Sequence, residues 1–320
     1  METIRVLQVD AFATEPLAGN PAGVVPDADG LTTDQMQAIA RELSLSETAF
    51  VLSSDVADRR LRYFTPTQEV DLCGHATIGS FAFLADEGRI EPGTSTLETN
   101  VGVLEIDLEA DGSVWMSQDR PTISEVDLAY DRVADALGVD RAALEAVGVK
   151  LPLAVSSTGL PFLMVPVAYL SNVGDAAPDP AAIEALSADV GATGIYLFSF
   201  DTLTADSTLH ARMFAPAAGV PEDPVTGTAS GAVGAYLERY GALDGGETPA
   251  GSAVDESGTS VDATTFPDEL RLEQGYFVDR PGLVRVRVGG EVRVGGRGVV
   301  ALDGTLLVPD ADDEDEILEA

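Results

Sequence analysis

Residues 62–84 read RYFTPTQEVDLCGHATIGSFAFL, and residues 212–237 read RMFAPAAGVPEDPVTGTASGAVGAYL. Arg62-Tyr63-Phe64-Thr65-Pro66 aligns with Arg212-Met213-Phe214-Ala215-Pro216. After a short insertion, Cys73-Gly74-His75-Ala76-Thr77 aligns with Thr226-Gly227-Thr228-Ala229-Ser230. The segments that follow, Ile78 to Leu84 and Gly231 to Leu237, end alike in Ala-Phe-Leu and Ala-Tyr-Leu. Each half reads strand, Pro-containing loop, Gly turn, small-residue helix. The repeat predicts two similar domains with a cleft between them and both helix starts pointing into it. A helix N-terminus has unpaired N–H groups and about half a positive charge, so it binds carboxylates and developing oxyanions. Gly74 and Gly227 let backbone approach such an anion closely, and the small residues after each keep the helix start open.

Outward from this repeat, hydrophobic spacing sets the remaining elements. Ile4 to Ala13 alternates as a strand, and Thr32 to Leu43 has helical spacing with Thr33 as its cap. Thr48 to Ser53 and Leu61 to Thr65 are short apolar strands. Ala76 to Glu87 is a helix stopped by Gly88. Leu104 to Leu108 and Val114 to Ser117 flank Asp111-Gly112, a hairpin signal. Helical spacing returns at Tyr130 to Leu137, Arg141 to Val147 and Ala229 to Tyr240. Strands are predicted at Leu163 to Val167, Gly194 to Phe200, Thr208 to Phe214, Leu283 to Val288, Glu291 to Val294 and Gly298 to Leu302. Gly245 to Thr265 reads as a long surface loop, and residues 310–320 as a solvated acidic tail. The domain division is 1–120 and 121–302, with a strand near 303–309 completing the first domain.

The chain has 320 residues, 45% of them hydrophobic, enough for a substantial core. One cysteine excludes a disulfide framework, and one cysteine with two histidines excludes the usual structural zinc sites, which take about four such ligands. No metal site is predicted. The formal charge is −36, with 54 acidic against 18 basic residues. That field repels phosphate backbones and excludes nucleic acid as a partner. Lys150 is the only lysine. A charge this large destabilises a compact state in ordinary buffer, whereas molar salt screens it to a Debye length of about 3 Å. The surface therefore suits the high-salt cytoplasm of a halophilic archaeon. The N-terminus carries no basic segment followed by an apolar one, and no stretch of 18 or more apolar residues exists, so a cytoplasmic protein without a membrane span is expected.

Charged residues around the repeat supply candidate chemistry. Asp71 and His75 flank Gly74, and Glu222 and Asp223 precede the second Gly turn. Glu47 lies in Leu45-Ser46-Glu47-Thr48-Ala49-Phe50, just before an apolar strand. A carboxylate carried toward a core is a better base, because burial disfavours its charged form. Cys73 reads as a small packed thiol. A Cys73–His75 dyad is not expected, since residues two apart at a helix start point to different sides. His210 lies in a strand and reads as structural.

Several segments together resemble the PhzF-like family of phenazine-biosynthesis proteins, whose fold is shared with diaminopimelate epimerase and proline racemase. They are Val9-Asp10-Ala11-Phe12 with Gly19-Asn20-Pro21-Ala22, Leu45-Ser46-Glu47-Thr48, and Phe64-Thr65-Pro66 leading into Asp71 through Thr77. The last is Arg212 through Pro216 leading into Glu222 through Ala229. The resemblance spans both halves in the family's order. It implies an α+β fold of two similar domains, each a mainly antiparallel sheet curled around a central helix. It further implies isomerisation by proton transfer without a cofactor, acting on a small anionic substrate. The matching catalytic residues are Glu47 as general acid/base, His75 in support and Asp223 in the second motif. Thr228 falls at the family's substrate-contacting hydroxyl, Gly74 and Gly227 are expected to bind the substrate's anionic groups through the helix-start N–H groups, and Asn20 is a further substrate-binding candidate. The family often has Ser where this chain has Thr228, which keeps the hydroxyl and adds a methyl. Homodimers are common among such relatives.

Two other functions fit the same residues. One is an epimerase or racemase of an amino or hydroxy acid with unlike bases, Glu47 or Cys73 on one face. The two-cysteine form is excluded, because Thr226 stands where the second thiol would be. The other is a non-catalytic protein that binds small anions in the same place.

Overall fold

The computed structural model describes residues 2–243 and 266–309; the surface loop and acidic tail read from the sequence lie outside the described residues. The chain divides into two compact units. The first takes in residues 2–117, 278–283 and 295–309, and the second residues 118–243, 266–277 and 284–294.

The first unit runs β1 (Glu2–Ala11), β2 (Asn20–Val25), α1 (Thr33–Leu43), β3 (Thr48–Leu52), β4 (Arg59–Phe64), β5 (Glu69–Val70), α2 (Gly74–Asp86), β6 (Gly93–Thr99), β7 (Gly102–Leu108) and β8 (Val114–Ser117). The chain's final strand, Gly298–Val308, runs antiparallel along the full length of β1. β1–β2, β3–β4, β6–β7 and β7–β8 are antiparallel, while β2–β3 and β4–β6 are parallel. α2 touches β1, β2, β3, β8 and the final strand, so the sheet wraps around it. Every residue from Ala76 to Leu84 is buried. A helix apolar on all sides is the form a wrapped central helix must take. α1 covers the opposite face, with Met36, Ile39 and Ala40 packed on Ile4, Val6, Phe50 and Phe64. Its cap is Thr32 rather than Thr33: the Thr32 hydroxyl accepts from Gln35 N–H, and Gln35 answers in a capping box.

The second unit runs β9 (Thr122–Glu125), α3 (Tyr130–Leu137), α4 (Arg141–Glu145), β10 (Ala154–Ser157), β11 (Pro161–Pro166), α5 (Leu170–Gly174), α6 (Pro180–Val190), β12 (Gly194–Ser199), β13 (Leu209–Ala215), β14 (Val220–Asp223), α7 (Gly227–Arg239) and β15 (Leu270–Gln274). β11–β12 and β13–β15 are parallel, and the pairs β9–β10, β10–β11, β12–β13 and β13–β14 antiparallel. The order around β11 to β15 repeats that around β2 to β6. α7 is the counterpart of α2 and is buried from Ala229 to Leu237. A Cβ on Gly234 would come 2.8 Å from the Val286 side chain, so glycine there sets how closely the helix approaches its neighbours. β12 is buried on both faces. Ile195 and Leu197 join the core under α3, α4 and α6, whereas Phe198 meets Tyr236 of α7 at 6.3 Å. The protein is thus α+β, with mainly antiparallel sheet around a central helix in each unit. Both central helices begin two residues earlier than their apolar spacing implies, at the glycine itself.

The repeated Arg residues brace both halves alike. Arg62 grips Glu69 through two hydrogen bonds of 2.8 and 2.7 Å and lies 5.1 Å from the Phe64 ring centroid. Arg212 grips Glu222 at 2.8 and 2.7 Å and lies 4.9 Å from the Phe214 ring. Each fork ties the first strand of a hairpin to the second, just before the turn that opens a central helix.

His210 has the structural role read from the sequence. It is wholly buried, and its Nδ1 meets Glu273 Oε2 at 2.9 Å. Its Nε2 is buried without a partner, beside the rings of Tyr276 and Phe277. Burial lowers the His210 pKa, against the pull of the Glu273 carboxylate. Burial would raise Glu273, but hydrogen bonds from Leu203 N–H, His210 and Thr204 outweigh it and hold Glu273 low. In the folded protein His210 therefore stays neutral where the unfolded chain takes up a proton. Its contribution is complete above the unfolded value of about 6.5 and declines as pH falls below it, by at most about 1.4 kcal/mol per pH unit. The melting temperature is expected to drop more steeply in wild type than in His210→Gln between about pH 6.5 and 5.5. Parallel profiles would refute this role.

Candidate active site

Glu47 immediately precedes β3, where β2 and β3 run parallel. Its carbonyl accepts from Gly23 N–H at 2.9 Å, and Gly23 pairs with Thr48. A Cβ on Gly23 would come 2.5 Å from the Thr48 hydroxyl, so glycine is what lets the strands close beside Glu47. The Glu47 side chain is 24% exposed, at the rim rather than in the core. Its Oε2 lies 3.5 Å from Nε2 of His75, the second residue of α2. Ser46 Oγ is also 3.5 Å from that nitrogen. These long contacts leave the imidazole within reach of both groups.

On its other side, His75 Nδ1 lies 3.4 Å from the Cys73 sulfur. This corrects the expectation that Cys73 and His75 point apart. Cys73 is the residue before the helix and has extended backbone, φ −138° and ψ 114°, so helical spacing does not apply to it. Glu47, Cys73 and His75 each offer one atom to a group that spans no more than 4.8 Å. Behind them, the buried Tyr63 hydroxyl meets Thr77 Oγ1 at 2.7 Å, and Thr77 Oγ1 donates to the Cys73 carbonyl at 2.7 Å. This chain fixes the helix start from below. The N-cap residue Cys73 makes no side-chain capping hydrogen bond to α2, and a helix start of this kind can hold an anion. Gly74 opens the helix. A Cβ there would meet only Met116 Sδ at an ordinary 3.6 Å, so packing within the unit does not demand glycine. Asn20 begins β2 opposite Ala11 and is buried, three residues before the Gly23 that meets Glu47. Asp71 is exposed.

The second unit gathers the other candidates at the start of α7. Asp223 ends β14, opposite Met213, and its carboxylate accepts from Thr226 Oγ1. Gln274, buried in β15, donates to the Asp223 carbonyl at 2.8 Å and to Thr226 Oγ1 at 3.1 Å. It accepts from Thr226 N–H at 3.1 Å. Gly227 is the first helical residue, and the N-cap residue Thr226 makes no side-chain capping hydrogen bond. Thr228 occupies the position that His75 holds in the first unit. It is half-buried, and its carbonyl accepts from Thr158 Oγ1 at 3.2 Å. Within their own units, Glu47 and His75 stand together, as do Asp223, Gly227 and Thr228. Tyr63 and Thr77 give no signal in the sequence, because each lies beside apolar residues where its polar tip stands out little, and Gln274 gives none because it stands among other polar residues of a strand far from the motifs.

Residues 9–304 match the family model PhzC-PhzF, phenazine biosynthesis-like protein. The chain is 34% identical to the uncharacterized isomerase YfhB of Bacillus subtilis (strain 168), covering 96% of this chain and 99% of that protein. It is 32% identical to trans-2,3-dihydro-3-hydroxyanthranilate isomerase of Pseudomonas chlororaphis, covering 94% and 98%. Among solved structures, the PhzF-family phenazine biosynthesis protein of Bacillus anthracis superposes with a TM-score of 0.81 at 33% identity, over 96% of this chain and all of that one. A hydroxyproline epimerase from Agrobacterium vitis, at 15% identity and a TM-score of 0.56, shares the fold.

Proposed function

The chain belongs to the PhzC-PhzF family and is an isomerase, and we propose that it moves a proton between carbons of a small carboxylate substrate, without a cofactor, through Glu47. The Glu47 carboxylate takes a proton from carbon, and the electron pair delocalises into an enolate. The resulting Glu47 acid returns the proton to a second carbon, so the bond order shifts with no net oxidation. His75 polarises the substrate from 3.5 Å beside Glu47, and the N–H groups at Gly74 hold negative charge as it develops. Asp223, Gly227 and Thr228 bind the substrate's polar groups, and Asn20 supports the strand that borders Glu47. The placement of Glu47 Oε2 against His75 Nε2 at the start of α2 carries this reading. The first test is product analysis after incubation with trans-2,3-dihydro-3-hydroxyanthranilate and a panel of unsaturated, amino and hydroxy carboxylates. Isomer formation is expected from at least one of them. Simple binding without conversion of any would favour an anion-binding protein instead.

A homodimer is proposed only because such dimers are common in the family. We further propose a cytoplasmic protein of a halophilic archaeon that takes neither nucleic acid nor membrane as partner. A formal charge of −36 on 320 residues is the supporting fact. Self-repulsion between carboxylates weakens as salt shortens the Debye length from about 10 Å at 0.1 M to about 3 Å at 1 M. The melting temperature is expected to rise steadily from about 0.1 M to 2 M potassium chloride. Equal stability across that range would contradict a halophilic origin. No helix among the described residues is long and apolar enough to cross a membrane.

A further inference from the structure

The count of cysteines and histidines excludes a closed four-ligand zinc site, but it leaves open a three-ligand site with a free position. Catalytic-type zinc sites have that form: three protein ligands and one exchangeable ligand. Glu47, Cys73 and His75 bring a carboxylate oxygen, a sulfur and an imidazole nitrogen within 4.8 Å of one another. For a tetrahedral zinc ion with the usual bond lengths, sulfur and nitrogen ligands sit about 3.6 Å apart, and nitrogen and oxygen about 3.4 Å. The Cys73 sulfur lies 3.9 Å from His75 Nε2, and Glu47 Oε2 lies 3.5 Å from the same nitrogen. Side-chain shifts of a few tenths of an ångström would bring these two edges to their ideal lengths, and the sulfur–oxygen edge lies within 4.8 Å. The sulfur selects the ion: a thiolate, imidazole and carboxylate set favours zinc or another borderline-soft cation over Mg2+ or Ca2+. The protein carries many acidic side chains that hold hard cations loosely, and this set differs from all of them in its sulfur.

We propose that Glu47, Cys73 and His75 form a reversible binding site for one Zn2+ ion, whose occupancy withdraws Glu47 from proton transfer. Zinc binds the three side chains, the Cys73 thiol binds as thiolate with its proton passing to solvent, and water completes the fourth position. The metal is an inhibitor here, because a carboxylate that donates its lone pair to zinc cannot accept a proton from carbon. Only the inhibition rests on the isomerase reading. Binding is measured without substrate, so failure of that reading leaves the site testable.

The test uses Co2+ as a spectroscopic probe on the full chain, in molar potassium chloride with excess Mg2+ to occupy surface carboxylates. One equivalent of Co2+ is expected to give a thiolate-to-cobalt absorption band and tetrahedral visible bands, both abolished by one equivalent of Zn2+. Cys73→Ser should lose the thiolate band, and His75→Gln should weaken Zn2+ binding at least about tenfold, as ligand loss costs no less than loss of an outer-sphere partner. Circular dichroism of each variant reports folding, and if one fails to fold the other decides. Absence of a thiolate band in wild type would overturn the proposal. So would Zn2+ binding of unchanged affinity in a folded Cys73→Ser or His75→Gln.

Discussion

Glu47→Gln is expected to lower kcat by about 10²- to 10⁴-fold, the range over which a positioned general acid/base contributes. KM should change little, because the amide keeps the shape and hydrogen-bonding reach of the carboxylate and loses only its basicity. The fold should survive, since the side chain is at the rim and the backbone contacts of residue 47, including its bond from Gly23, are untouched. Glu47→Asp provides the geometric control. It retains a base but draws it back by one methylene, and misplacement of about 1 Å can cost on the order of 10²-fold. Steady-state kinetics on the substrate identified by screening would check both. A Glu47→Gln enzyme of wild-type kcat would assign the base elsewhere.

The largest expected effect on stability comes from Arg212→Leu. Arg212 is 8% exposed. Besides its fork to Glu222, it donates to the carbonyls of Val173 and Ala176 at 3.0 and 2.9 Å. Its guanidinium also lies near the rings of Phe214 and Phe277. Leucine fills part of the volume but strands a largely buried carboxylate and two carbonyls. Breaking a buried ion pair from one side costs about 3–5 kcal/mol. For a chain of 320 residues that corresponds to a fall of about 4–7 °C in melting temperature. Arg62→Leu is expected to cost less, because Arg62 is 17% exposed and its additional contacts are a Thr33 hydroxyl and the Met36 sulfur rather than carbonyls. A thermal melt of both variants gives the comparison. Equal small losses would show that the two forks are surface pairs of little worth.

The internal repeat made the architecture legible. Its Arg and Phe positions form the same brace in both halves, and two copies of one pattern imply two copies of one packing. The forks themselves went unread, because Glu69 and Glu222 are unremarkable acids until the hairpins fold them back. Strands such as β2, β6 and β10 were missed for a different reason. β2 begins Asn20-Pro21 and is stabilised by long-range pairing with β1 and β3, which overrides turn-like local propensity. The predicted strand at Glu291 to Val294 forms instead at Arg293–Gly296. Its terminal glycines carry no strand propensity, but a Cβ on Gly295 would strike the Trp115 ring at 2.3 Å. Tertiary packing placed that element. At the site, Glu47 and His75 were legible through family motifs, whereas the Cys73–His75 contact was not. Reading Cys73 as helical misplaced its side chain, and one residue's extended backbone separates the two outcomes.

The central claim is that the Glu47 carboxylate carries a proton between substrate carbons. Its most direct test is isotopic. The isomerised product is formed in heavy water by wild-type and Glu47→Gln protein, and deuterium at carbon is read by mass spectrometry and NMR. The Glu47 side chain is 24% exposed, so its acid form exchanges with heavy water before it reprotonates carbon; wild type is expected to introduce deuterium at the carbon that receives the proton, with the variant slower by about 10²-fold or more. Label entering the same carbon at the wild-type rate in Glu47→Gln would contradict the claim.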